Sequence, residues 1–221
     1  MTALQLEVLP DADAVAERAA AFVAEQAEAA VADHGRLTFA VSGGHTPWAM
    51  FAHLAAKMPW EKVSIYQVDE RVAPEGDPDR NLTHLRASLP PGGAADVRAM
   101  PVGAHELEGA AADYARSLPD SFDLIHLGLG PDGHTASLVP GDAVLNVLDR
   151  DVAITDVYQG RRRMTLTYPT LNKARLVLWL VAGEDKIDAL RRLRAGDRSI
   201  PAGRVEAASA LVIADAAAAG D

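Results

Sequence analysis

Short apolar runs recur along this chain, and most are followed by a tight turn and then by a segment with helical spacing. Residues 37–41, 63–68, 122–127 and 176–181 carry few polar interruptions, the pattern of strands covered on both faces. Shorter strands are expected at 97–100, 152–155, 164–167 and 211–214, with 4–9 as an alternating edge strand. Helices are expected at 11–33, 47–57, 81–88, 106–117 and 184–194, with a short one from Pro169. The first carries Val15, Ala19, Phe22, Val23, Ala27 and Ala30 on one stripe. Strands that alternate with helices need crossover connections. The prediction is therefore an α/β fold: a doubly wound, mainly parallel sheet with helices on both faces, in a Rossmann-like three-layer arrangement. The end, 216–221, is expected to fray.

At 221 residues, with no Gly/Ser/Pro-rich linker or charge block, one domain over 1–221 is expected. A formal charge of −10 argues against nucleic acid or an anionic membrane as partner, yet leaves room for a small phosphorylated ligand held by a few local cations. No apolar run approaches a membrane span, and Met1 to Pro10 has no basic segment followed by an apolar one. The chain has no cysteine, so disulfides, thiolate metal sites and a cysteine nucleophile are excluded, and a reducing cytoplasm is the expected location. No apolar stripe is left over to indicate an assembly, which leaves a monomer or a small homo-oligomer.

Four places carry candidate chemistry. Ser42-Gly43-Gly44-His45-Thr46-Pro47 follows a strand directly: the glycines allow close backbone approach, Thr46 suits an N-cap and Pro47 a first helical position. Unpaired N–H groups at such a turn suit a phosphate, although the lysine of a nucleoside-triphosphate loop is missing. Asp69-Glu70-Arg71 ends the next strand at the same sheet edge, and Asn81 either closes over a ligand or merely starts a helix.

The third is Gly128-Leu129-Gly130-Pro131-Asp132-Gly133-His134, after the central strand. His134 there can accept a proton near neutral pH. The glycine spacing formally matches a dinucleotide fingerprint, but Pro140-Gly141 leaves no length for the crossover helix such a site needs. The fourth is basic: Arg161-Arg162-Arg163, of which one or two can face a site, and Lys186 near a helix N-terminus, where a bound anion would relieve its conflict with the helix dipole. The seven histidines show no metal-ligand spacing, so no metal and no cofactor are expected.

Together with Thr135-Ala136-Ser137-Leu138 and Arg163-Met164-Thr165-Leu166-Thr167, these segments resemble the 6-phosphogluconolactonase family in order and approximate spacing over nearly the whole chain. The resemblance implies hydrolysis of 6-phospho-glucono-1,5-lactone in the pentose phosphate pathway without a cofactor. It implies that Ser42, Gly43, Gly44, His45, Thr46, Asp132, Arg163 and Lys186 bind the substrate and its phosphate. It makes His134 the general base, with Asp69 and Arg71 at the lactone end and either Asp69 or Asp132 orienting the imidazole. This chain departs from the family at Val139, where Phe is usual, and at Tyr158-Gln159-Gly160, where prolines commonly precede the arginines.

Two rivals are weaker. Related sugar-phosphate deaminases and isomerases carry Glu at the position of Val139, which cannot transfer a proton. A non-catalytic sugar-phosphate sensor would need a DNA-binding unit for which the segment before the first core strand has no room.

Overall fold

The computed structural model describes residues 4–54, 58–90 and 95–220. Seven strands form one parallel sheet, β1 (Leu4–Leu9), β2 (Leu37–Val41), β3 (Val63–Gln67), β5 (Asp96–Arg98), β6 (Leu124–Gly128), β9 (Val177–Val181) and β10 (Ala210–Asp215). Their order is β1-β10-β9-β6-β2-β3-β5. From β2 the chain proceeds to β3 on one side, and from β6 it proceeds to β9 on the other. The strand order thus reverses between β2 and β6, the place where open α/β sheets form a crevice at their carboxyl ends.

Side chains alternate between two cores. Phe39, Val41, Leu124, Leu178 and Ile213 face α1 (Ala12–His34) and α2 (His45–Leu54). Ile125, Leu127, Trp179 and Val212 face the other way. There they meet α4 (Leu107–Arg116), α5 (Tyr168–Leu171) and α6 (Ile187–Arg194). Helix α1 starts where its sequence asks: the Asp11 carboxylate accepts from the Ala14 amide at 2.9 Å, and Gly35, at φ +91°, ends it in a left-handed cap. Phe22 stands off its buried stripe, partly exposed beneath the Arg18 guanidinium.

A second, antiparallel sheet was not expected. It runs β4 (Asp69–Arg71), β8 (Arg163–Leu166), β7 (Val152–Ile154). The run 63–68, read as one strand, bends at Val68, whose amide donates to Val41 while its carbonyl accepts from Leu166. That bend carries the next residues out of the main sheet and sets Arg71 opposite Arg163.

Other boundaries differ locally. The expected end of the helix at 57 lies outside the described residues. Thr46 is no N-cap: α2 begins at His45, because Gly44, at φ +134°, turns the chain into the helix directly. The helix expected at 184–194 opens as a 3-10 turn, Glu184–Lys186, before α6. Residues 216–219, expected to fray, form α7 (Ala216–Ala219), capped by Asp215, whose carboxylate accepts from the Ala218 amide at 2.7 Å. Helix α3 (Asn81–Ser88) matches its expected limits.

Candidate active site

A cavity of about 350 Å³ opens at the switch point. Ser42, Gly43 and Gly44, with His45 and Thr46 of the first turn of α2, form one wall. The first amides of a helix have no intrahelical acceptor, so this wall presents N–H groups and the positive end of the α2 dipole. A side chain at Gly43 is excluded, since a Cβ would stand 1.9 Å from Asn81 Oδ1.

The facing wall is the turn after β6. Gly130 receives the ring of His134 so closely that a Cβ there would lie 2.0 Å from Nδ1. No α-helix follows directly; Thr135 and Leu138 instead form an isolated antiparallel bridge, with a 3-10 turn at Ala143–Asn146 beyond it. Nδ1 of His134 lies 2.6 Å from Asp132 Oδ1, which also accepts from the His134 amide at 3.0 Å. Burial opposes the charge on Asp132, but these bonds outweigh it and hold its pKa below the usual carboxylate value. A carboxylate on Nδ1 selects the tautomer protonated there, leaving Nε2 of the neutral ring as the acceptor.

Asp132, expected among the substrate-binding residues, is therefore engaged with the imidazole and is absent from the cavity wall. Asp69, the other candidate to orient the ring, is buried and accepts from Ser137 Oγ at 2.6 Å and from Asn81 Nδ2 at 3.3 Å.

Three cations converge on the cavity: Arg71, Arg163 and Lys186. Of the arginine run only Arg163 reaches it. Arg161 pairs with Asp77 and Asp79 at 3.0 and 2.9 Å, and Arg162 is exposed. Burial lowers the pKa of Arg163, partly offset by Asp69. Nε of Arg71 and Nε of Arg163 are buried and without a hydrogen-bond partner among the described residues. Lys186 lines the cavity at the end of its 3-10 turn, but Nζ lies 2.7 Å from Asp185, so its conflict with the helix dipole is already met without an anion.

Asn81 belongs to this site, and Glu70 supports it from beneath. Asn81 both opens α3 and lines the cavity, accepting from Arg71 Nη1 at 2.6 Å and donating to the Asp69 carbonyl at 3.0 Å. Glu70 lies fully buried beneath it. Its oxygens accept from the Asn81 and Leu82 amides at 2.8 Å, the Arg71 amide at 2.8 Å and Gln67 Nε2 at 2.9 Å. The first amides of α3 are thus capped from strand β4, as Arg80 at its N-cap makes no side-chain cap. Nothing in the spacing from 70 to 81 announces this. Among the described residues, no group of three or more His, Cys, Asp or Glu side chains could hold a metal ion, and no helix is long and apolar enough to cross a membrane.

Residues 10–213 match the family model described as glucosamine-6-phosphate isomerases/6-phosphogluconolactonase. A 6-phosphogluconolactonase of Synechocystis is 37% identical over 203 residues, covering 84% of this chain and 83% of its own. One from Mesorhizobium japonicum is 40% identical over 191 residues, covering 80% and 79%. The crystal structure of the Thermotoga maritima 6-phosphogluconolactonase superposes with a TM-score of 0.85 at 27% identity, covering 96% of this chain and all (100%) of that one. A monomeric glucosamine-6-phosphate deaminase shares the fold with a TM-score of 0.84 at 17% identity, covering 98% of this chain and 99% of that one.

Proposed function

Given a chain that belongs to the glucosamine-6-phosphate isomerase/6-phosphogluconolactonase family, we propose that it hydrolyses 6-phospho-D-glucono-1,5-lactone to 6-phospho-D-gluconate in the oxidative pentose phosphate pathway. The observation that carries this assignment is the sharing of one cavity by the N-terminal turn of α2 and a carboxylate-paired imidazole. The first is suited to a phosphate, the second to activating water.

The 6-phosphate docks against Gly43, Gly44 and Thr46, with Ser42 and His45 at the edges and Arg163 and Lys186 as counter-charges. Fixing that end holds the lactone carbonyl carbon, C1, near His134, and such orientation contributes several kcal/mol to lowering the barrier. Nε2 takes a proton from water as its oxygen attacks C1. The negative charge that forms on the former carbonyl oxygen is met by Arg71 or by amides of the glycine turn. When the C1–O5 bond breaks, the imidazolium returns the proton to O5. Asp132 keeps the ring in the productive tautomer throughout, while Asp69 stands at the lactone end.

Isomerisation or deamination of an amino sugar needs a further acid–base group, and the position where the deaminases carry Glu is here the buried Val139. No step requires a metal, so turnover persists in EDTA. The phosphorylated lactone is the only partner assigned, in the cytoplasm, with no part for nucleic acid or membrane. The deciding measurement compares acid release from fresh 6-phosphogluconolactone with ammonia release from glucosamine 6-phosphate. Rapid acid release with no ammonia is expected; the reverse overturns the assignment.

A further inference from the structure

The hairpin joining β7 to β8 ends in a two-residue turn. The Tyr158 amide donates to the Arg161 carbonyl at 3.0 Å and the Arg161 amide returns to the Tyr158 carbonyl at 3.3 Å. Gln159 and Gly160 stand at φ +51° and +81°, the left-handed pair that fits the twist of a tight hairpin. Glycine takes that conformation freely, whereas Gln159 is held in it by its surroundings: its Oε1 accepts from Arg163 Nη2 at 3.1 Å. On the outer side, Arg161 is fastened to Asp77 and Asp79 of the loop before α3. The tip is therefore pinned at both ends.

This anchoring turns the Tyr158 ring inward, between two groups the chemistry uses. The Arg163 guanidinium carbon lies 4.9 Å from the ring centroid, within cation–π range. The His134 ring is 5.8 Å away at 64°, an edge-to-face contact. Asp132 holds His134 by Nδ1, and Tyr158 packs against the ring as a second restraint. For Arg163, buried and with Nε unpartnered, the electron-rich ring supplies stabilisation that its hydrogen bonds leave incomplete. Tyr158 itself does not line the cavity wall.

We propose that Tyr158 is a positioning residue for lactone hydrolysis: one aromatic ring sets the His134 imidazole and the Arg163 guanidinium relative to each other, and so the span from bound phosphate to reacting carbon. The proposal rests on the roles given above to His134 and Arg163. A displacement of about 1 Å at such a site is enough to slow a reaction substantially.

The test uses Tyr158→Phe and Tyr158→Leu in the whole enzyme with three readouts: kcat and KM for the phosphorylated lactone, inorganic phosphate affinity by calorimetry, and the His134 ring proton shifts by NMR. Tyr158→Leu is expected to shift the His134 ring resonances, weaken phosphate about five- to tenfold, and lower kcat/KM by about tenfold or more. Tyr158→Phe, which keeps the ring, should stay within about twofold of wild type in kinetics and affinity. Wild-type kcat/KM and phosphate affinity in the leucine variant would overturn the proposal. So would a phenylalanine variant as impaired as leucine, since the hydroxyl would then be what matters. Should Tyr158→Leu fail to fold, Arg161→Ala, which unpins the hairpin and keeps the ring, is expected to lower kcat/KM in the same direction; unchanged kcat/KM there overturns it. A wild-type protein without lactonase activity defeats the functional assignment instead, and leaves the NMR and phosphate results to be judged on their own.

Discussion

One oxygen of Asp132 holds both the main chain and the ring of His134, at 3.0 Å from the amide nitrogen and 2.6 Å from Nδ1. A proton acceptor tethered twice by its neighbour two residues away has its tautomer and its direction set together. His134→Asn should therefore lower kcat by roughly 100-fold or more with little change in KM, as for loss of a general base. Asp132→Asn can present an amide N–H to Nδ1 and so favours the wrong tautomer; a fall in kcat of about tenfold or more is expected. Steady-state kinetics on fresh lactone decides both, and wild-type turnover in either variant refutes its assigned role.

Gly130 offers a test that removes no polar group. Its absent Cβ makes room for the His134 ring, whose Cε1 and Nδ1 would be 2.2 and 2.0 Å from an added methyl. Gly130→Ala should displace the imidazole while the Gly130 amide can still donate to the His134 carbonyl, as it does now at 2.8 Å. The expected loss in kcat is on the order of 100-fold, comparable to removing the base, with phosphate affinity retained. Retained turnover would show that the ring can act from elsewhere.

Much of the parallel sheet was legible because strands covered on both faces must be nearly continuously apolar, as 37–41, interrupted only by Thr38, and 176–181 are. The turn at Gly128–His134 was legible for a related reason: glycines mark where backbone and ring crowd together. The second sheet was not, because the bend at Val68 leaves no breaker residue and depends on pairing with Leu166, far away in sequence. For the same reason the capping of α3 by Glu70 could not be read from residues around 81. The choice of Arg163 over Arg161 and Arg162 also depended on partners elsewhere, since Asp77 and Asp79 occupy Arg161.

The counter-charges around the α2 turn should act on binding of the phosphate more than on chemistry. Lys186→Ala and Arg163→Ala are expected to raise KM for the phosphorylated lactone by about tenfold, while altering kcat/KM for unphosphorylated gluconolactone by no more than about twofold. Equal losses on both substrates would show that these cations do not read the phosphate.

Glu70 is the structural joint between the two sheets and α3. Removing its side chain strands several buried donors, the Asn81 and Leu82 amides among them. Glu70→Ala should destabilise the fold by about 3–5 kcal/mol, and Glu70→Gln, which turns an NH2 toward those donors, by about 2 kcal/mol. Urea unfolding measures both; a loss below 1 kcal/mol for the alanine variant, by the same ~1 kcal/mol scale of a single hydrogen bond, would mean water replaces the carboxylate.

His126 lies fully buried in β6, with neither ring nitrogen hydrogen-bonded among the described residues. Desolvation lowers its pKa from 6.5 to about 3. The unfolded chain binds a proton there below about pH 6.5, and the folded chain does not until near pH 3. Its contribution is thus fully present above pH 6.5 and falls as the solution is acidified toward 3, by up to about 1.4 kcal/mol per pH unit. His126→Leu removes the proton and keeps an apolar side chain on the same face of the sheet. Between about pH 6.5 and 4.5 the wild-type unfolding free energy should drop roughly 2–3 kcal/mol more than that of the leucine variant, with all other titrations common to both. Parallel stability curves for the two proteins would show that the imidazole is hydrated or already charged in the native state.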